Sequence, residues 1–185
     1  MNVKYYLSSL LVLSMCWSCS NISDSAKGVE TSYFPIKEFV EAKIPVIEGK
    51  TLRKEINING KNETTTDIPN AEEWLKELDF FLQADINKAV LANAYETERS
   101  EKFLIHELKE GEKGKVKKLV IQYLNGEVKQ ISFNALTENP FYSSKTRGVL
   151  VLHSETREID QYTIENIQEV VFSKPNKLVI SATVH

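Results

Sequence analysis

The chain opens on a nearly continuous apolar run, Tyr5-Tyr6-Leu7-Ser8-Ser9-Leu10-Leu11-Val12-Leu13-Ser14-Met15, preceded by Lys4 and free of acidic residues until Asp24. It is too short for a permanent bilayer-spanning helix, which needs about 20 residues, and has the form of a secretory signal. Residues 19–32 are polar and lack periodicity, so they read as a flexible tether, and the folded domain is expected over 33–185. A helical period appears at Pro35–Pro45, where Ile36, Phe39, Val40 and Ile44 share one face and prolines stand at both ends. Period two replaces it in Thr51–Thr66, centred on Asn59-Gly60, a pair suited to a hairpin turn because both of its positions take positive φ. The second arm is almost wholly polar, which predicts one solvated face. A second helix is predicted from Asp67 or Asn70 as cap to about Val90 or Leu91, with Trp74, Leu75, Leu78, Phe81, Leu82, Asp85 and Ile86 on one face.

From Ser100 the period returns to two. Strands are predicted at Lys102–Lys109, Val116–Leu124, Glu127–Ala135, Gly148–Ser154, Glu158–Phe172 and Leu178–Val184, joined by turns that include Asn125-Gly126, Asn139-Pro140 and Lys174-Pro175-Asn176. Short turns between successive strands imply an antiparallel meander. Glu158–Phe172 is long against a typical strand of about 5–6 residues, which suggests a bend or a bulge. The expected fold is therefore α+β: an N-terminal helix and hairpin, then a long helix packed against a strongly curved antiparallel sheet of about six strands.

Composition adds boundaries to this picture. Of 185 residues, 42% are apolar and 26% charged, with a net charge of −3, which suits one globular domain and excludes a disordered chain. Acids and bases are interleaved, which argues against nucleic acid as a partner. Both cysteines, Cys16 and Cys19, close the apolar run. A C-x-x-C pair in a redox or zinc site needs a βαβ context or further ligands, and neither is present.

The run instead resembles a bacterial lipoprotein signal, whose terminal cysteine is acylated after cleavage just before it. Cys19 follows the small residue Ser18 and is the expected lipidation site, with Cys16 as the alternative; residues 1–18 would then be removed. Ser20 differs from the aspartate that marks inner-membrane retention, so the resemblance implies an outer-membrane lipoprotein facing the periplasm. Tyr33-Phe34-Pro35, the Ile58-Asn59-Gly60-Lys61 hairpin and the Trp74–Lys88 stretch together resemble an uncharacterised family of Bacteroidetes-type lipoproteins, Gln83-Ala84-Asp85-Ile86-Asn87-Lys88 being the most specific part. That resemblance implies location and architecture but no activity.

Residues capable of chemistry are scattered. His106, His153 and His185 are not at ligand spacing, no G-x-S-x-G elbow or phosphate-binding glycine loop occurs, and no cysteine falls within 33–185. Asp85 stands on the apolar face of the second helix, where it would act either as a buried acid or base or, more simply, as a cap for a neighbouring segment. Lys113, Lys115, Lys117 and Lys118 crowd one turn and suit either a blunted sheet edge or an anionic surface. Leu119–Ile121 and Gly148–Leu152 are apolar on both faces, more than a sheet with one wet face requires. No catalytic, metal or cofactor site is therefore expected. The leading expectation is a non-enzymatic, membrane-anchored envelope protein that binds a partner, followed by a carrier of a lipid or other apolar ligand between sheet and helices, and then by an enzyme without a familiar motif.

Overall fold

The computed structural model describes residues 33–185; the apolar run, Cys16, Cys19 and the tether lie outside the described residues. Four short helices, α1 Ile36–Glu41, α2 Ile44–Ile47, α3 Ala71–Glu77 and α4 Asp79–Leu82, form two helical segments. Nine strands accompany them: β1 Leu52–Ile58, β2 Lys61–Asp67, β3 Tyr95–Arg99, β4 Phe103–Leu108, β5 Val116–Leu124, β6 Glu127–Asn139, β7 Tyr142–Leu152, β8 Ile159–Val170 and β9 Asn176–Val184. The Asn-Gly turns behave as their sequence demands. Asn59 and Gly60 have φ of 52° and 87°, and Asn125 and Gly126 have 54° and 81°, the left-handed pairs of a tight hairpin.

All nine strands join one antiparallel sheet in the order β2-β1-β9-β8-β7-β6-β5-β4-β3. Strands β3 to β9 are a meander, and the β1–β2 hairpin completes the sheet by pairing β1 with β9, from Leu52↔Val184 to Ile58↔Leu178. This corrects the expected six-stranded, strongly curved sheet: the sheet has nine strands and is neither closed nor strongly curled. The length of β8 is taken up by its neighbours. With 13, 11 and 12 residues, β6, β7 and β8 run side by side, and their pairing continues to Asn139↔Tyr142 and Tyr142↔Val170, past the Val116↔Ala135 pair at which β5 begins. Three long strands of matched length support one another, and β8 also carries the expected bulge: its register with β7 shifts between Val151↔Gln161 and Leu152↔Ile159, leaving Asp160 as the extra residue.

The long second helix is also corrected. Asn70 caps α3 with a reciprocal capping box to Glu73, but Leu78 flattens to φ −92°, ψ 8° and separates α3 from α4. After α4 the Asp85 carboxylate accepts from the Asn87 backbone N–H at 3.4 Å, a turn that competes with helix, and Lys88 is extended before a 3-10 turn at Ala89–Leu91.

Both helical segments cover the same face of the sheet. Ile36, Val40, Ile47, Trp74, Leu78 and Phe81 are buried in one cluster with Leu119, Ile121, Ile131, Leu150 and Tyr162. Phe81 meets Phe133 and Tyr162 edge-on, with ring centroids 5.5 and 6.2 Å away. Gly148, directly opposite Phe133 in the β6–β7 pair, leaves room for that ring: a Cβ at position 148 would stand 2.2 Å from Phe133 Cε1.

Candidate functional site

Three places were candidates on sequence grounds: the titratable residues near the helices, the space between helices and sheet, and the second face of the sheet. The first is a clamp on the segment that enters the domain. His106, on β4, is buried, and its Nε2 accepts the Phe34 backbone N–H at 3.1 Å. Its other nitrogen, Nδ1, therefore carries the proton and donates to Thr97 Oγ1 at 2.9 Å. Burial, followed by the charge of Arg99, lowers the His106 pKa to about 4. Asn87 donates to the Phe34 carbonyl at 3.1 Å and to Asp85 Oδ1 at 3.2 Å. Tyr33 continues the clamp by donating to the Leu91 and Ala92 carbonyls and accepting from Tyr95 N. Burial, with Tyr33 beside it, raises the Tyr95 pKa to about 12.

Asp85 and His106 thus hold the same short segment from two sides, Asp85 through Asn87. The Gln83–Lys88 stretch, noted for its resemblance, supplies half of this grip. His153 lies elsewhere, in the β7–β8 turn, where its Nδ1 accepts from the backbone of Glu155 and Thr156. His185 is exposed beside β1. Among the described residues no group of three or more His, Cys, Asp or Glu side chains is arranged to hold a metal ion.

A second polar cluster was not anticipated. Glu77 of α3 accepts from Tyr162 Oη on β8 and from Lys54 Nζ on β1, the latter at 2.7 Å. Burial, together with this hydrogen bond to a carboxylate, pushes the Tyr162 hydroxyl above the usual tyrosine range. The cluster ties α3 to two strands that are distant in sequence, a link that no local pattern reveals.

Between α3 and the β1–β2 hairpin lies an open hollow of about 360 Å3, lined by Lys54, Asp67, Glu73 and Glu77 beside Leu52, Ile68 and Pro69, whereas the space beneath α4 is filled. The cavity there, lined by Phe80, Ala84, Val116, Phe133, Ala135 and Thr146 among others, has a volume of about 10 Å3. That is at most the scale of one water molecule.

The second face is the larger opportunity. Ile105, Val120, Ser132, Val149, Thr163 and Ser181 form one cross-strand row from β4 to β9, on the side away from the buried cluster. The apolar members of this row, with Val151 in the row beside it, are only half-buried, and Thr163 and Ser181 are exposed. No helix of the described residues lies over this face. Ion pairs stand around it: Lys118–Glu107 at 2.8 Å and Lys177–Glu165 at 2.7 Å, the latter holding the Glu165 carboxyl below its usual range. The lysine-rich turn does not form one patch: Lys118 joins this face, whereas Lys115 reaches Gln83 of the helical layer at 3.1 Å. Nor does it blunt an edge, because β5 lies inside β4 and β3.

Comparison with protein-family models, with curated proteins and with solved structures gives no match. The functional reading therefore rests on the residues themselves.

Proposed function

We propose that this chain is a lipid-anchored cell-envelope protein with a non-enzymatic binding or assembly role, and that the uncovered face of its sheet receives the partner. The observation that carries the proposal is the row Ile105, Val120, Val149, with Val151 beside it: β-branched residues on the open side of a sheet whose other side already holds a complete core. An apolar strip rimmed by ion pairs suits a protein interface, whose centre is depleted of charge and whose rim is polar. Two observations support this reading over the carrier: the space beneath α4 is too small for an acyl chain, and the larger hollow beneath α3 is lined by the charged Lys54, Asp67, Glu73 and Glu77. The anchor and the outer-membrane, periplasm-facing location are read from the apolar run, Ser18, Cys19 and Ser20, as is kinship with the Bacteroidetes-type lipoproteins from the Gln83–Lys88 segment.

A photo-crosslinking residue at Val149, installed in the chain in its native envelope, tests the surface. One defined adduct from position 149, absent when the probe replaces exposed Glu72 on α3, is the expected result; identical adducts from both positions would refute the interface. Intact-mass analysis of the same material reads acylation at Cys19, and a mature N-terminus without acyl mass would overturn the anchor.

A further inference from the structure

The overhanging end of the sheet carries a feature that partner binding on the open face does not use. Beyond the Val116↔Ala135 pair, β6 and β7 continue without β5 to the turn at Pro140-Phe141, and β8 ends alongside them at Val170. The two tips touch: Val171 N–H donates to the Phe141 carbonyl at 3.0 Å. Phe172 is fully exposed, Phe141 is 72% exposed, and Val170 and Val171 are 47% and 45% exposed. Phe172 also has φ of 66°, a left-handed backbone conformation that is unfavourable for a bulky side chain. The tip therefore combines backbone strain with apolar exposure at one place, and neither improves the core.

We infer that the paired tips of the β6–β7 and β8–β9 hairpins insert into the boundary between headgroups and acyl chains of a lipid bilayer, with Phe141 and Phe172 as the inserting side chains. Shape and charge select this occupant. Hairpin tips are protrusions, and a fluid bilayer accepts a protrusion without a complementary pocket. Pro140–Tyr142 and Val170–Ser173 contain no charged residue, whereas Lys145, Lys174 and Lys61 stand close behind the apolar tips or on the adjoining β1–β2 turn against Glu138 and Glu169, Lys177 being paired with Glu165. A local excess of lysine on a chain of net charge −3 favours an anionic lipid surface. Tyr142, cross-strand partner of Val170, has the amphipathic ring that sits well at headgroup level. The inference rests on the anchored reading only in that the anchor would supply a bilayer at close range.

The test uses the full chain reconstituted with vesicles of phosphatidylethanolamine and phosphatidylglycerol that carry brominated acyl chains. Phe172→Trp is compared with Leu124→Trp, which lies by the β5–β6 turn at the opposite end of β6 and is 45% exposed. Trp74, together with Trp17 where residues 1–18 are retained, gives the same background in both. The expected result is a blue-shifted emission on addition of vesicles, with at least twofold quenching of the added fluorescence, for Phe172→Trp and neither for Leu124→Trp. Equal responses at both positions, or none at 172, would overturn the inference. So would emission from Phe172→Trp that is already blue-shifted before lipid is added in a chain that elutes as a dimer, since a second copy would then cover the tip. Intact mass separates the two readings. An acylated chain without quenching at 172 loses the inserted tip and keeps the anchor, whereas quenching at 172 in a chain without acyl mass does the reverse.

Discussion

His106 gives the folded chain a dependence on pH confined to a narrow range. The histidine is neutral in the fold and its pKa is lowered to about 4, against 6.5 ordinarily. Above pH 6.5 neither the folded nor the unfolded chain binds this proton, so His106 adds no slope. As the pH falls from 6.5 to 4 only the unfolded chain takes it up, and stability falls by about 3 kcal/mol before levelling off. Urea denaturation at a series of pH values should show this decline, and His106→Gln should flatten it; an unchanged slope in the variant would assign the effect elsewhere. As the pH falls below the ordinary carboxylate value of 4.5, Glu158, whose carboxyl is held low first by its hydrogen bond to Lys50, adds a loss of its own. Gly148 is a second residue whose role is purely local. An alanine there meets the Phe133 ring at 2.2 Å, and Gly148→Ala should cost about 2–3 kcal/mol in denaturant titration, the range of core overpacking. Pairing it with Phe133→Leu should recover part of the loss; strictly additive losses would show that the ring is not what excludes the methyl group.

Elements were legible in the sequence where one local signal decided them. Asn59-Gly60 and Asn125-Gly126 located two hairpins, and Val116–Leu124 matches β5 at both ends, because turn chemistry and period two agree there. The second helix misled because its apolar spacing continues through Ile86. What ends it is a side-chain turn at Asp85 and the demand of Phe34 for Asn87, a contact across 53 positions. Strand β3 was missed because only Tyr95 of its five residues is buried, so an edge strand with one buried side chain has no alternation to read. The clamp and the Glu77 cluster were illegible for the same reason as the β1–β9 pairing: each joins residues whose proximity is created by the topology. The Glu77 cluster can be weighed directly. A double-mutant cycle on Tyr162→Phe and Glu77→Gln should give a coupling of about 1–2 kcal/mol in urea denaturation, as for a hydrogen bond to a charged group. Coupling near zero would mean that packing and the Lys54–Glu77 pair, not the tyrosine, hold α3 on the sheet.

The sheet as a whole is a continuous surface with a core on one side, and its shape follows from lengths more than from curvature. The expectation of a curled sheet treated β8 as one overlong strand; the molecule pairs it with β7 and β6, and the excess becomes an overhang carrying Phe141 and Phe172. The β1–β2 hairpin gives the molecule a further property. Thr51 and His185 exchange both backbone hydrogen bonds at 2.9 Å, so the first residue of β1 and the last of β9 lie at the same end of their ladder. Tension applied between positions 33 and 185 would first peel away the segment from Phe34 to α2, and would then open the β1–β9 ladder one rung at a time, as a zipper parts. Handles at Asn59 and His185 would instead load the whole ladder in shear. Optical-trap measurements should therefore find a higher rupture force for the 59–185 pair than for the 33–185 pair; equal forces would place the mechanical resistance outside this ladder. A domain suspended from its N-terminal end would thus yield first in α1 and α2, which act as a mechanical fuse ahead of the sheet.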